Sequence, residues 1–211
     1  MHIDFTTLTA YQRYKLMASL IVPRPIALVT TLGPTGVVNA APFSMFNMVG
    51  EDPPLVMISI NRANAQGRPK DTAANILRSG EFVVHLADEA IAAQMHACGE
   101  ALPPEESEVH ATGLTLRPSQ TIAVPAIAQA PVAFECVLHE QLTNESRHVF
   151  FGRILALHAR EGLIDTERWR VRLQDYFPVG RFGASFYLRS RDRFAIDDGP
   201  GDATSTPIDE I

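Results

Sequence analysis

Prolines and glycines cut the stretch between Pro23 and Ile76 into short pieces, and those pieces limit what the chain can become. Pro23 and Pro25 force an extended entry. Residues 26–32 are apolar and rich in β-branched side chains, bounded by Pro25 and Gly33-Pro34, and read as a strand. Gly33-Pro34-Thr35-Gly36 is a turn, and residues 37–41 return, so 26–41 reads as a β-hairpin. Pro42 is expected to end the returning strand, with residues 43–50 irregular or a single helical turn. Pro53-Pro54 leads into a third strand at 55–60, apolar enough for a central position. A polar loop over 61–69 precedes a helix capped by Asp71 or Thr72, running to Arg78 and stopped by Ser79-Gly80.

The rest of the chain repeats this grammar. Thr9 caps a short helix over 9–20. A fourth strand covers 81–86, and an Asp88-capped helix covers 88–98. Residues 99–120 are the least regular, and Glu105, Glu106 and Glu108 read as a surface excursion. Long strands at 132–142 and 147–159 pair through the turn 143–146. A short helix at 166–173 holds Trp169, a loop covers 177–183, and a last strand covers 184–188. Hairpins with a few helices, rather than strict βαβ alternation, predict an α+β fold with a mainly antiparallel closed sheet. Residues 1–190 read as one domain. Residues 191–211 turn polar and acidic and read as a mobile tail, or as an arm that orders on a partner.

Charge and composition exclude several classes. With 24 acidic against 18 basic residues and no basic tract, nucleic acid is a poor partner. The N-terminus lacks a signal-peptide pattern and no apolar run spans a bilayer, so a cytoplasmic protein without a membrane partner is expected. The two cysteines, Cys98 and Cys136, show no CxxC spacing, and the seven histidines form neither HxH nor HExxH, so no metal site is expected. Dinucleotide-binding, P-loop and nucleophile-elbow motifs are missing.

Two stretches carry chemistry. Lys70-Asp71-Thr72 opens a helix, where free N–H groups and the helix dipole favour an anion, and Arg62 and Arg68 stand just before it. A solvated, capped helix with exposed bases is the alternative. Asn39-Ala40-Ala41-Pro42-Phe43-Ser44 combines small residues, against which a flat ring can lie, with hydrogen-bonding side chains at Asn39 and Ser44. Phe46 could shelter the ring's edge. A hairpin end closed by an Asx or ST turn is the alternative here. Together the two stretches favour a flat, phosphorylated cofactor, FMN above others.

The run from Arg24 to Ile76 resembles the flavin reductase-like FMN-binding split-barrel family, which includes reductase components of two-component flavin monooxygenases. The matching pieces are the Arg-Pro entry with Val29-Thr30-Thr31, Asn39 to Ser44, Asp52-Pro53-Pro54, and Lys70-Asp71-Thr72 with Asn75-Ile76. Later pieces are Ser79-Gly80-Glu81-Phe82-Val83-Val84, Glu135-Cys136, Phe151-Gly152-Arg153-Ile154 and Arg181-Phe182-Gly183 leading to Tyr187. The resemblance implies a split β-barrel with a few peripheral helices, forming a homodimer with FMN near the subunit interface. It implies ring contacts from Asn39, Ala40, Ala41 and Ser44, and ribityl and phosphate contacts from Ser59, Asn61, Arg62, Lys70 and Thr72. It also implies hydride transfer from NAD(P)H to the flavin, with electrons passing to free flavin, a partner monooxygenase or ferric iron. Where the family's reductases read Gly-Asp-His, this chain reads Ser146-Arg147-His148, keeping the histidine as the candidate catalytic residue. A non-catalytic FMN carrier and a pyridoxamine-phosphate-oxidase-like enzyme are the alternative readings.

Overall fold

The computed structural model describes residues 1–64, 67–103 and 105–194. Among these residues seven strands make the main sheet: β1 (Ala27–Leu32), β2 (Val38–Phe43), β3 (Phe46–Glu51), β4 (Pro54–Asn61), β5 (Glu81–Leu86), β6 (Val132–Thr143) and β7 (Arg147–Ala159). All pairs are antiparallel, and the order across the sheet is β2-β1-β5-β6-β7-β4-β3. The two edge strands are therefore neighbours in sequence, joined by Ser44 and Met45 alone. In a flat sheet those edges would stand roughly 29 Å apart, six strand spacings, far beyond a two-residue link. The sheet must curl until its edges meet at that corner, where the Ser59 N–H donates to the Met45 carbonyl at 2.8 Å. Among the described residues no ladder joins β2 to β3, so the barrel stays split along this seam.

Among the described residues four α-helices lie around the barrel: α1 (Ala10–Leu20), α2 (Asp71–Ser79), α3 (Ala92–Ala97) and α4 (Glu108–Ala111). Strand alternation decides what faces inward. Ala27 and Val29, Val56, Ile58 and Ile60, Phe82 and Val84, and Phe150 fill the interior together with Phe46 and Cys136. The opposite face of β1 and β2, carrying Leu28, Val38 and Ala40, packs with Met95 of α3 and Val109 of α4. Both faces of β1 are thus covered, which explains its nearly continuous burial, whereas β4 alternates between buried and partly exposed. Ala73 and Ile76 dock α2 into the barrel's interior cluster, and its buried Asn75 amide donates to Thr31 Oγ1 at 3.1 Å.

Thr9 caps α1 in a capping box with Gln12, and Gly80 closes α2 at φ +71°. Other boundaries differ from expectation. Pro42 lies within β2, because an edge strand needs no outward donor at that position. Residues 46–51 form β3, not an irregular segment. The helix expected over 88–98 is only α3, with Ile91 rather than Asp88 at its N-cap, and 166–173 is not helical: Arg170–Val171 pairs with Ile164–Asp165, and exposed Trp169 sits in the turn at φ +55°. Residues expected as a loop become β8 (Val179–Gly183), which pairs with β9 (Phe186–Arg189) and with Arg24–Pro25. No helix among the described residues is long and apolar enough to cross a membrane. The acidic tail read from residue 191 lies, from 195 onward, outside the described residues.

Candidate functional site

The start of α2 is built without a side-chain cap. Lys70 occupies the N-cap position with extended backbone, in place of the expected Asp71 or Thr72, and its side chain accepts nothing from the first turn. A lysine has no acceptor to offer, so the first N–H groups of the helix gain no cap from this side chain, and Asp71 is the acidic residue of the first turn. This end of α2 lines a cleft of about 390 Å³ that also holds Asn39, Ala41, Arg68 and Thr72. Thr72 is buried in the first turn, and its Oγ1 accepts from the Asn39 amide at 2.9 Å. Strand and helix are thereby locked together at the cleft.

The opposite wall follows from the alternation of β2. Val38 and Ala40 turn to the core, while Asn39 and Ala41 turn to the cleft. The outward backbone of this edge strand is answered by α4: Ser107 Oγ donates to the Val38 carbonyl at 2.6 Å, and the Ala40 N–H donates to Glu108 Oε2 at 2.9 Å. Glu108 is therefore a buried bracket rather than part of a surface excursion. Burial pushes its carboxyl above the usual range, the Ala40 hydrogen bond opposes that, and Asp71 nearby adds to it. The far wall runs through Gly99, Glu100, Ala101 and Leu102, where a side chain on Gly99 would press on the His96 carbonyl at 3.0 Å and approach Pro42 Cγ at 3.6 Å. Sequence reasoning missed Glu108 and this wall. The close approach at Gly99 is the one local hint.

The remaining candidates divide. Ser44 lies in a second cleft of about 590 Å³, which shares Pro42, Gly99 and Glu100 with the first, and its Oγ accepts from Arg24 Nε at 3.3 Å. The side chains of Ala40 and Phe46 belong to the core, so Phe46 does not stand at a cleft edge as expected. Ser59, Asn61, Arg62 and His148 line neither of these two clefts. Ser59 and Asn61 oppose Val149 and Arg147, whereas His148 opposes Ile60. Directly opposed residues share a face, so Ser59 and Asn61 lie on the outer wall and His148 on the inner one. There His148 stacks on Phe150 with 5.7 Å between ring centroids, and its Nδ1 meets Thr143 Oγ1 at 2.9 Å. Arg62 Nη1 reaches the Asn144 carbonyl at 3.4 Å.

A split barrel whose one cleft joins an uncapped helix start, two cations and a wall of small residues is suited to one phosphate and one flat ring. Fold and cleft together define the split-barrel class of flavin-binding proteins. The chain belongs to the flavin reductase-like domain family, whose model matches residues 17–174. It is similar to the crystal structure of Pseudomonas fluorescens 2-nitrobenzoate 2-nitroreductase NbaA, with 42% identity and a TM-score of 0.85 over 96% of this chain and 100% of that one. Nitrilotriacetate monooxygenase component B from Bacillus cereus is 34% identical, with a TM-score of 0.86 over 93% of this chain and 98% of that one. A split-barrel-domain structure from Shewanella frigidimarina, at 21% identity and a TM-score of 0.80 over 94% of this chain and 100% of that one, shares the fold.

Proposed function

We propose that the protein binds FMN in the cleft between β2 and α2 and acts as a flavin reductase, passing reducing equivalents from NAD(P)H to the flavin and on to a second acceptor. The observation that carries this reading is the uncapped start of α2, with Lys70 and Arg68 beside it, at the end of a cleft walled by Asn39 and Ala41. One such helix end suits one phosphate, which favours FMN over a dinucleotide. When bound, the flavin supplies the hydride-accepting ring. The chain's own residues hold and orient it: Lys70, Arg68 and the first turn of α2 take the phosphate, and Asn39, fixed by Thr72, marks the ring edge.

Ser59, Asn61 and Arg62 stand away from this cleft in one protomer, and we read them as the contribution of a second copy in a homodimer, while His148, beside Phe150 on the inner wall, is kept as the candidate catalytic residue. Met48 and Val49, exposed on edge strand β3 next to β4, offer such a copy an apolar face. A partner monooxygenase is one acceptor in this reading, in line with the likeness to a monooxygenase component B. The likeness to a 2-nitrobenzoate nitroreductase favours a second reading, in which the acceptor is a small aromatic molecule. Either chemistry runs in the cytoplasm, where NAD(P)H is supplied.

The deciding measurement is the visible spectrum of FMN-loaded protein before and after anaerobic NADH or NADPH. Bleaching of the flavin bands supports a reductase, and stable bands with both donors leave only a carrier. Lys70→Ala should weaken FMN binding by about ten-fold or more, the worth of one charge-assisted hydrogen bond. Equal FMN affinity in that variant removes the phosphate assignment. His148→Ala should leave FMN affinity unchanged and slow reduction by NAD(P)H about ten-fold, again one hydrogen bond's worth. A reductive half-reaction at the wild-type rate takes His148 out of the site.

A further inference from the structure

In the small sheet Arg24 and Arg181 are direct cross-strand partners. Like charges in that relation destabilise a ladder. Neither guanidinium is in an ion pair among the described residues, where the ion pairs join Arg160 to Asp88, and Arg189 and Arg191 to Glu89. Their hydrogen bonds go to neutral acceptors. Arg24 donates to Ser44 Oγ at 3.3 Å, to the Ile21 carbonyl at 2.7 Å and to the Ala18 carbonyl. Arg181 donates to the Tyr187 phenol oxygen at 2.5 Å and to the Ala184 carbonyl. Both arginines line the second cleft, as does Lys15, and Glu100 is the one carboxylate in that lining. Three cations against one carboxylate, in a concave site, set a positive field that an anion relieves.

Another part of this lining, the helix that carries Lys15, is unusual. α1 has 11 residues and a full capping box, yet it buries none of them. Tyr11 and Tyr14 line the cleft and are 67% and 50% exposed. Two rings left in water add little to the core, but they give this cleft an aromatic wall, with Lys15 Nζ 5.6 Å from the Tyr11 ring centroid. Arg181 is already in place: its guanidinium lies 4.8 Å from the Tyr187 ring centroid, and the phenol that accepts from it meets His96 Nδ1 at 2.7 Å. A donor held this way loses little freedom when a ligand arrives.

We propose that this second cleft binds a planar aromatic molecule bearing one carboxylate, with the carboxylate between Lys15 and Arg181 and the ring against the tyrosines of α1. The shared wall at Pro42, Gly99 and Glu100 brings such a ring beside the first cleft. Its role as the second substrate rests on the flavin reading above, and its binding does not. The phosphates of a nicotinamide dinucleotide present similar anionic chemistry, and the test separates the two sources.

Benzoate, its neutral isostere benzamide, and ADP-ribose are titrated calorimetrically into the protein, with and without FMN. The same titrations use Lys15→Met and Arg181→Gln, whose melting temperatures and FMN affinities are checked first. Benzoate is expected to saturate one site, and benzamide to bind about ten-fold or more weakly. Each variant should weaken benzoate by a similar factor and leave FMN affinity unaltered. Equal binding of benzoate and benzamide, wild-type benzoate affinity in folded variants, or saturation by ADP-ribose in place of benzoate each overturns the proposal. Failure of FMN to bind the wild type refutes the flavin reading instead, and the benzoate titration of the ligand-free protein still decides this one.

Discussion

Gly152→Ala should destabilise the fold by about 1–3 kcal/mol, the usual penalty for forcing extra volume into a packed core. The added Cβ would stand 2.3 Å from Phe82 Cζ, with Cε2 and Cε1 at 3.1 and 3.2 Å. Phe82 is fully buried in the barrel interior, so its ring has nowhere to retreat. The strand also shifts register between Phe151 and Gly152 where it passes this ring. The close approach, not backbone freedom, is what requires glycine here. Urea unfolding of Gly152→Ala, Phe82→Leu and the double variant makes the check. The double variant should be less destabilised than the two singles summed, with a coupling of about 1 kcal/mol or more. A single variant within about 0.5 kcal/mol of wild type, or strict additivity, would show that the ring is not the obstacle.

The second large effect is on pH. His85 is fully buried in β5, where its Nδ1 lies 2.8 Å from the Leu28 carbonyl and the Ile127 N–H donates to its Nε2 at 2.9 Å. That pattern admits only the neutral ring protonated at Nδ1. Burial is the main cause pushing its pKa from 6.5 down to about 4, the Leu28 hydrogen bond opposes the shift, and the charge of Arg117 adds to it. Between those two values the unfolded chain holds more protons than the folded one. Stability should therefore fall as pH is lowered through this window and level off below it, by about 3 kcal/mol at most from this group. Urea midpoints at pH 7.5 and 4.5 test this, with His85→Gln as the control, since glutamine offers a donor and an acceptor but no titration. An equal pH dependence in wild type and variant would assign the loss to other groups.

The long hairpin β6–β7, the Thr9 cap and the Gly80 stop were legible because each depends on residues close in sequence. The edge strands were not. Pro42 breaks a central strand but not an edge, and nothing near it in sequence says that β2 will be an edge. Glu108 reads as solvated acid among Glu105 and Glu106 until the fold lays it against the Ala40 N–H, 68 residues away in the chain. Trp169 sits in a tight turn that its neighbours do not announce. At the candidate site, helix-start and small-residue chemistry singles out Asn39, Ala41, Arg68, Lys70 and Thr72 as candidates, and the fold gathers them in one cleft. Phe46 turns inward by strand alternation, which a segment that reads as irregular does not announce. Ser59 and Asn61 came from a resemblance, and no local signal says which face of β4 they take.

The chain crosses the open side of the barrel once, at Ser44 and Met45, and Ser44 is hydrogen-bonded to Arg24. Arg24 in turn holds the C-terminal end of α1 through Ile21. The latch across the barrel's gap is thus tied to the same arginine that faces the second cleft. One guanidinium therefore joins three places at once: the corner of the seam, the end of α1 and the second cleft.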